Sequence, residues 1–128
     1  MTWITVAAAV LKHCKKILIA QRKDRGNNAG KWEFPGGKLE KNETIRQCLS
    51  RELHEELGIC TKIEAFVAEN KHVYHKNLPI HLIVYEAFWV SGTITLHSHQ
   101  AIAWVKPETL LHYNFSDADM PIVHFLLK

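Results

Sequence analysis

The sequence predicts an α/β domain in which strands and helices pack in layers. Apolar segments of strand length occur on both sides of a single strongly periodic helical segment. The chain has 128 residues, a length that suits one domain spanning 1–128. With 47% hydrophobic and 23% charged residues, the composition is that of an ordinary globular protein with a sizeable core.

The first part of the chain predicts two strands followed by a loop and a bend. Apolar residues dominate 4–10 (ITVAAAV) and 16–22 (KILIAQR), with KHCKK as the turn between them. The polar segment 23–31 contains Gly and Asn and predicts a loop. Pro35-Gly36-Gly37 predicts a sharp bend, because two glycines permit positive φ and close approach by a ligand.

The next segment predicts the main helix. Thr44 and Gln47 have the spacing of a capping box, and Gly58 is a natural stop at the carboxyl end. Four apolar side chains recur every four residues and predict the buried face of this helix: Ile45, Leu49, Leu53 and Leu57.

The rest of the chain predicts further strands and two more helices. Pro107 suits an early position in a short helix, PETLL. A last helix is expected from about Asp117 to Leu127. The expected strands are 62–69, 80–90, 93–96 and 101–105.

Charge and cysteine content narrow the classes of function. A net charge of +3 is too mild to indicate binding to duplex DNA. Basic residues gather early in the chain, which fits either an anionic small molecule or a solvated surface. Three well-separated cysteines show no zinc spacing and fit a reducing compartment, so we expect a cytoplasmic protein. No segment has the length of a membrane span, and the apolar N-terminus lacks the features of a signal peptide.

An acidic cluster lies on the predicted helix. Glu52, Glu55 and Glu56 are three and four residues apart, a spacing at which like charges repel. Arg51 is the only base between positions 51 and 56. One interpretation is a solvated acidic face. The other is an oxygen-rich site for Mg²⁺, completed by backbone carbonyls from the nearby glycine pair.

The spacing of these residues resembles a known signature. From Gly37 the chain reads Gly, five residues, Glu43, seven residues, and then RELHEELGI at 51–59. This is similar, at every fixed position, to the Nudix hydrolase pattern GX5EX7REUXEEXGU, in which U is a bulky aliphatic residue. Four further segments resemble the MutT-type branch, which includes 8-oxo-dGTP and CTP-preferring pyrophosphohydrolases: 20–22, 32–38, 99–104 and 118–121.

The resemblance implies a fold and an activity. The fold would be a Nudix fold, a mixed curved β-sheet sandwiched between helices (α/β/α). The activity would be hydrolysis of a nucleoside triphosphate to a monophosphate and pyrophosphate. An 8-oxo-dGTP diphosphatase of this type would clean the nucleotide pool, and so support DNA repair and prevent DNA replication errors. The enzyme would be a monomer or weak dimer.

Alternative activities remain open at this point. They are a pyrophosphohydrolase preferring CTP or 5-methyl-dCTP, a dinucleoside polyphosphate hydrolase, and a nucleotide-binding module without catalysis. Tyr74 lies where dinucleoside polyphosphate hydrolases often carry a tyrosine, although a strand position is the better explanation. ADP-ribose hydrolysis is disfavoured, because the next proline beyond the signature is Pro79.

The resemblance also assigns roles at the acidic cluster. Glu52 would act as general base, Arg51 would orient it, and Glu43 would support the junction of loop and helix. The metal would be Mg²⁺, with Mn²⁺ as a possible substitute. Its ligands would be the Gly37 carbonyl and the side chains of Glu52, Glu55 and Glu56.

One position departs from the MutT-type pattern. Ser98 stands where relatives usually carry a further metal-binding glutamate. A ring nitrogen of His97 or His99 is one possible replacement, and water is the other.

Substrate contacts are expected from both sides of the signature. Trp32 would either stack on the base or pack in the core. Leu78, Ile80 and Leu82 would line the pocket or fill the sheet. Asp119 would accept hydrogen bonds from the base if ionised, or would cap the last helix. The full set of substrate-binding candidates is Arg22, Asn27, Glu33, Phe34, Lys38 and Asp119.

Overall fold

A computed structural model describes residues 2–128 as one mixed seven-stranded sheet with helices on both faces. The strands are β1 (Ile4–His13), β2 (Lys16–Arg22), β3 (Trp32–Glu33), β4 (Gly36–Lys38), β5 (Cys60–Tyr74), β6 (Leu78–Ser91) and β7 (His99–Val105). The helices are α1 (Ile45–Leu57), α2 (Met120–Leu126) and two 3₁₀ segments, Pro107–His112 and Asp117–Asp119.

The sheet is built around β1. Its strand order is β3-β2-β1-β6-β5, with β4 paired to β1 and β7 paired to β2. β1 and β6 run parallel, from Ile4 opposite Ile80 to Lys12 opposite Phe88, and the other pairs are antiparallel. β1 is therefore buried on both faces, which explains its continuous run of apolar residues.

Helix α1 begins and ends where the sequence predicts. Thr44 is the N-cap, and its hydroxyl accepts a hydrogen bond from Gln47 N at 3.1 Å while the Gln47 side chain accepts from Thr44 N at 2.9 Å. Gly58 ends the helix in the left-handed conformation, with φ of 72°. Leu49, Leu53 and Leu57 are fully buried against one face of the sheet.

The opposite face of the sheet is covered by the carboxyl-terminal segments. Leu110, Ile122 and Val123 pack with Val10 and Ile19 of the central strands. Helices on both sides of the mixed sheet confirm the predicted α/β/α layering.

The strand predicted over 93–96 is wrong. β6 ends at Ser91, and Gly92 then turns the chain with φ of 96°. Thr95 N donates to Leu57 O at 2.9 Å, and His97 N donates to Glu56 O at 3.2 Å. The segment thus satisfies carbonyl groups at the carboxyl end of α1 that have no partner within the helix.

The bend predicted at Pro35-Gly36-Gly37 is present at Pro35 but does not extend over the two glycines. Gly36 and Gly37 belong to β4, which pairs antiparallel with Ala8 and Ala7 of β1. A β-carbon at Gly36 would overlap the backbone carbonyl of Ala7, so this glycine permits close approach by a neighbouring strand.

The last predicted helix is divided into two parts. Asp117–Asp119 forms a 3₁₀ turn, and Pro121 lies in the first turn of α2, where its missing N–H costs nothing. The predicted short helix at Pro107 is a 3₁₀ segment. No helix within residues 2–128 is long and apolar enough to cross a membrane.

Candidate active site

A polar cavity of about 510 Å³ lies between β4, α1 and the start of β7. Acidic and basic side chains face each other across it, so it suits an anionic ligand held together with a cation. Its lining residues are Arg22, Lys23, Arg25, Glu33, Gly36, Gly37, Lys38, Glu52, Glu55, Glu56, Ser98 and His99.

Arg51 connects the acidic residues beside this cavity. Its Nε and Nη2 donate to the two carboxylate oxygens of Glu43 at 2.7 and 3.0 Å. Its Nη1 donates to Glu52 Oε1 at 2.8 Å and to Glu55 Oε2 at 3.3 Å. One guanidinium therefore relieves much of the repulsion that the sequence predicts for this helix.

Glu43 is fixed from two sides. Glu40 N donates to Glu43 Oε1 at 3.0 Å, which closes the loop just before α1. Hydrogen bonding from Arg51, followed by the bond from the Glu40 backbone, lowers the pKa of Glu43 to about 2. The same pairing raises the pKa of Arg51 above its usual range. Glu43 is thus ionised and faces Arg51, and it lies outside the cavity lining.

The Glu52 carboxylate occupies space left by Gly37. A β-carbon on Gly37 would lie only 2.5 Å from Glu52 Oε2. The buried Cys48 thiol donates to the carbonyl oxygens of Gly37 at 3.6 Å and Lys38 at 3.5 Å. Burial, with the nearby Glu43 charge, raises the pKa of Cys48 to about 12, so the thiol keeps its proton. β4 and α1 are therefore in close contact at the predicted metal-binding carbonyl.

Glu56 is the most buried carboxyl of the cluster. Burial, together with the charges of Glu33 and Glu52, raises the pKa of Glu56 well above its usual range. Its Oε1 has no hydrogen-bond partner among the described residues. A buried carboxyl without a partner is costly unless a cation binds it.

A second cavity, of about 340 Å³, adjoins the first. Phe34 and Asn27 line it, together with Leu78, Ile80 and Leu82, which face the cavity rather than simply filling the sheet. Both cavities share wall residues, so one ligand can extend from one to the other. The shared residues are Arg22, Glu33, Gly36, Gly37 and Lys38.

Asp119 is a buried polar residue in the lining of the second cavity. Its Oδ2 accepts a hydrogen bond from Phe34 N at 3.0 Å. Asp119 lies at the N-cap position of α2, as one interpretation predicts, but its side chain makes no cap hydrogen bond. Burial, then repulsion from Glu33, raises the pKa of Asp119 to about 8. The ionised acceptor expected from the sequence is therefore a neutral carboxyl at pH 7, which both donates and accepts.

Two aromatic residues differ in their relation to this cavity. Trp32 packs edge-on against Tyr113 at 5.1 Å and does not line either cavity, which favours the core-packing interpretation. Tyr74 lines the second cavity, where its hydroxyl accepts from Ala118 N at 2.8 Å. This tyrosine thus helps to shape the apolar cavity.

A family model described as the NUDIX domain matches residues 6–125. The chain belongs to the Nudix family. As a Nudix hydrolase it is an enzyme that acts on phosphoric anhydride bonds, and members of the family generally use divalent metal ions. The recognition made from the signature is confirmed.

The Nudix chain is similar to several relatives over almost its whole length. It is 42% identical over 123 residues to a CTP pyrophosphohydrolase of Escherichia coli, covering 96% of this chain and 90% of the relative. It is 34% identical over 116 residues to a putative 8-oxo-dGTP diphosphatase 2 of Mycobacterium tuberculosis, covering 91% and 82%. The solution structure of the E. coli ORF135 protein superimposes with a TM-score of 0.85, at 40% identity, covering 99% and 90%.

The donor set of this Nudix site fits a divalent cation. Glu52, Glu55, Glu56 and Gly37 all line the polar cavity, and carboxylate and carbonyl oxygens are the ligands that Mg²⁺ prefers. Within residues 2–128, no three or more His, Cys, Asp or Glu side chains form a group arranged to hold a metal ion.

The two histidines near Ser98 differ in their relation to the polar cavity. His97 lies outside the cavity lining, and its Nε2 is 2.8 Å from Thr95 Oγ1. His99 lines the cavity, but its Nε2 is 2.9 Å from Glu33 Oε2. Ser98 itself lines the cavity.

Several cavity residues were not singled out from the sequence. Lys23 and Arg25 belong to the early basic group, which the sequence does not distinguish from a solvated surface. The contact between Glu33 and His99 joins positions 66 residues apart, so no local pattern predicts it. Two signals in the sequence point to this region: the early basic group, and the Gly- and Asn-rich composition of 23–31, which predicts a loop next to the signature.

Proposed function

We propose that the protein is a Mg²⁺-dependent nucleoside triphosphate pyrophosphohydrolase, with Mn²⁺ as a substitute ion. The reaction would convert a nucleoside triphosphate and water to a nucleoside monophosphate and pyrophosphate. The observation that carries this proposal is the continuity of the two cavities. It allows the phosphates to lie beside the acidic cluster while the base enters the apolar cavity.

We assign the attack of water to Glu52. Arg51 holds Oε1 of Glu52, which leaves Oε2 to take the proton from the attacking water. Arg51 is in turn fixed by the bidentate pair with Glu43, so the base is oriented before substrate binds.

The remaining acidic groups would hold the metal. Glu52, Glu55, Glu56 and the Gly37 carbonyl would be its ligands, with substrate and water completing the shell. A divalent ion bound there supplies charge neutralisation of the phosphate oxygens and acidification of water.

The basic side chains would bind the phosphates. Arg22 and Lys38 line both cavities and are thus placed near the junction of base and phosphate chain. Arg22 is oriented by Glu33, whose Oε1 lies 3.2 Å from Arg22 Nη1, and by the carbonyl of Asn27 at 2.8 Å. Positive charge here would stabilise the departing pyrophosphate.

We propose 8-oxo-dGTP as the substrate, and hence a role in nucleotide-pool sanitation. The supporting feature is the neutral Asp119 carboxyl, because a group that both donates and accepts suits a base edge that carries one acceptor and one donor. Phe34 would provide the apolar surface beside the base.

CTP or 5-methyl-dCTP is the second candidate substrate. Its support is the 42% identity to a CTP pyrophosphohydrolase. Cytosine also presents an acceptor, N3, beside a donor, the amino group, which the same carboxyl can pair with. A panel of nucleotides ranked by kcat/KM separates the two substrates.

The activity is tested by measuring pyrophosphate release with and without Mg²⁺, and with Mn²⁺ in its place. We expect Glu52→Gln to lose at least roughly 100-fold in kcat, since general bases contribute about 10² to 10⁴. Glu64→Gln is the matched control, because Glu64 is paired only with exposed Lys62. Wild-type rates in Glu52→Gln would refute its assigned role, and nucleotide binding without pyrophosphate release would favour the non-catalytic module.

We further propose that the enzyme acts in the cytoplasm as a monomer or weak dimer. Its charge of +3 gives little attraction to duplex nucleic acid. Light scattering after size exclusion tests the oligomeric state. Loss of free duplex in a binding titration would contradict the expectation that the protein does not bind duplex nucleic acid.

A further inference from the structure

His99 lies between two glutamates, and the proposed reaction assigns no role to this histidine. It is the first residue of β7, and its side chain is 4% exposed. Glu33 of β3 lies on one side of the imidazole and Glu56 of α1 on the other. The ring therefore connects three separate elements at the floor of the polar cavity.

The two ring nitrogens differ in their bonding. Nε2 is 2.9 Å from Glu33 Oε2, within hydrogen-bond distance. Nδ1 is 3.4 Å from Glu56 Oε2 without the geometry of a hydrogen bond. Among the described residues, neither His99 Nδ1 nor Glu56 Oε1 has a hydrogen-bond partner. A shift of about half an ångström would bring His99 Nδ1 and Glu56 Oε2 into a full hydrogen bond.

The contact with Glu33 fixes the ring and so fixes where Nδ1 lies. Glu33 is itself held by Arg22 at 3.2 Å, so the chain of contacts runs from the basic side of the cavity to Glu56. Ser98, the neighbouring residue in the lining, has a short side chain without a carboxylate.

We propose that His99 is a positioning residue that joins Glu33 to Glu56 and directs the Glu56 carboxylate toward the metal-binding side of the cavity. This inference rests on the proposed metal site at Glu56. Such outer contacts orient metal ligands, and their removal typically costs about 10- to 100-fold in metal affinity.

Two amide substitutions test the contacts of the two ring nitrogens separately. The amide nitrogen of Asn falls near the position of Nδ1, and that of Gln falls near the position of Nε2. Either amide can turn to present a donor or an acceptor. His99→Asn therefore keeps the contact with Glu56, whereas His99→Gln keeps the contact with Glu33. His99→Leu keeps apolar volume and neither contact.

The experiment measures Mn²⁺ binding to the nucleotide-free protein from the loss of the free-ion electron paramagnetic resonance signal. We expect His99→Gln and His99→Leu to raise the Kd at least about 10-fold. His99→Asn should raise it less than His99→Gln, because it keeps the contact with Glu56 and loses only the contact with Glu33 that fixes the ring. Far-ultraviolet circular dichroism checks that each variant is folded. If His99→Leu does not fold, His99→Asn and His99→Gln by themselves test the proposal. Wild-type affinity in His99→Gln, or equal losses in all the folded variants, would overturn the proposal.

A double-mutant cycle with Glu56→Gln tests whether His99 acts through Glu56. In that background, His99→Gln should produce no further loss of Mn²⁺ affinity. Additive losses would show that His99 acts independently and would also overturn the proposal. Pyrophosphate release by the wild-type protein is measured in parallel with Mn²⁺ binding. A failure of the proposed activity can then be distinguished from a failure of this inference.

Discussion

Arg51 determines how the acidic residues can share one end of a helix. Its planar guanidinium pairs with Glu43 through two nitrogens and with Glu52 through a third. A lysine ammonium is a point charge and cannot reproduce this fork. The spacing in the sequence predicts repulsion among the glutamates, but only the folded chain brings Glu43 to the other side of Arg51.

Replacing Arg51 by lysine should lower kcat roughly 10- to 100-fold, because Glu52 would lose its orientation while the charge is retained. KM should change much less, since Arg51 does not line the cavity. Steady-state kinetics of pyrophosphate release measure both constants. Arg46→Lys on the same helix is the control, and an unchanged kcat in Arg51→Lys would contradict the orienting role.

Protonation of Asp119 makes the free energy of unfolding depend on pH. Its pKa is raised from 3.8 to about 8, so between these values the folded protein keeps a proton that the unfolded chain loses. This group therefore lowers the free energy of unfolding as pH rises from about 4 to about 8. Below about pH 4 the carboxyl is protonated in both the folded and the unfolded chain, so Asp119 no longer makes the free energy of unfolding depend on pH.

The Asp119→Asn variant should become more stable relative to wild type as pH is raised from 4 to 8. The amide oxygen can still accept from Phe34 N, so the fold is kept. Urea unfolding at several pH values measures the difference in free energy of unfolding. Asp117→Asn, with a side chain that is 58% exposed, is the control. A difference that does not change with pH would show that Asp119 is ionised in the folded protein.

At the scale of elements, sequence predicts α1 well and its neighbours poorly. The capping box, the leucine face and Gly58 are local signals, and each agrees with the structure. The segment 93–96 alternates in polarity like a strand, but its backbone donors go to α1 instead. The bend at Pro35 agrees with the sequence, but the strand β4 that follows it does not show locally, because its pairing with β1 is a long-range contact.

The two glycines of β4 should respond differently to substitution. Gly37→Ala places a β-carbon 2.5 Å from Glu52 Oε2, at the end of a flexible side chain, so the fold should survive. The displaced carboxylate should lower kcat on the order of 100-fold, the usual effect of a misplacement of about 1 Å.

Gly36→Ala should mainly reduce stability, because its β-carbon would overlap the backbone of β1. We expect a loss of roughly 1–3 kcal/mol or more in the free energy of unfolding. Thermal unfolding and kcat measured on both variants test this contrast. A stable Gly36→Ala variant, or a fully active Gly37→Ala variant, would contradict the described packing.

At the scale of the whole molecule, β1 links the two cores. Ala7, Ala9 and Leu11 face α1, whereas Ala8 and Val10 face the other layer. The apolar run predicts a buried strand, and the signature predicts the fold through resemblance. The substrate cavity gathers distant residues such as Asn27, Leu78 and Asp119. The resemblance suggests these residues, but no local pattern in the sequence brings them together.

Because β1 belongs to both cores, the protein should unfold in a single transition. Leu53→Ala in one core and Leu110→Ala in the other should each cost about 2–5 kcal/mol, since both side chains are fully buried. Tryptophan fluorescence and circular dichroism should give the same denaturation midpoint for each variant.

Leu111→Ala is the matched control for Leu110→Ala. Leu111 is 54% exposed, so its truncation should change the free energy of unfolding by less than about 0.5 kcal/mol. Midpoints that differ between the two probes would show that the two faces of the sheet unfold independently.

The proton held by Cys48 has a practical consequence for spectroscopy. Maleimide reagents attack thiolates, so the buried, protonated Cys48 resists labelling. Cys14, in the turn after β1, and Cys60, at the start of β5, are exposed. The unmodified chain therefore offers two positions for fluorescent dyes or spin probes, and both leave the carbonyl of Gly37 undisturbed.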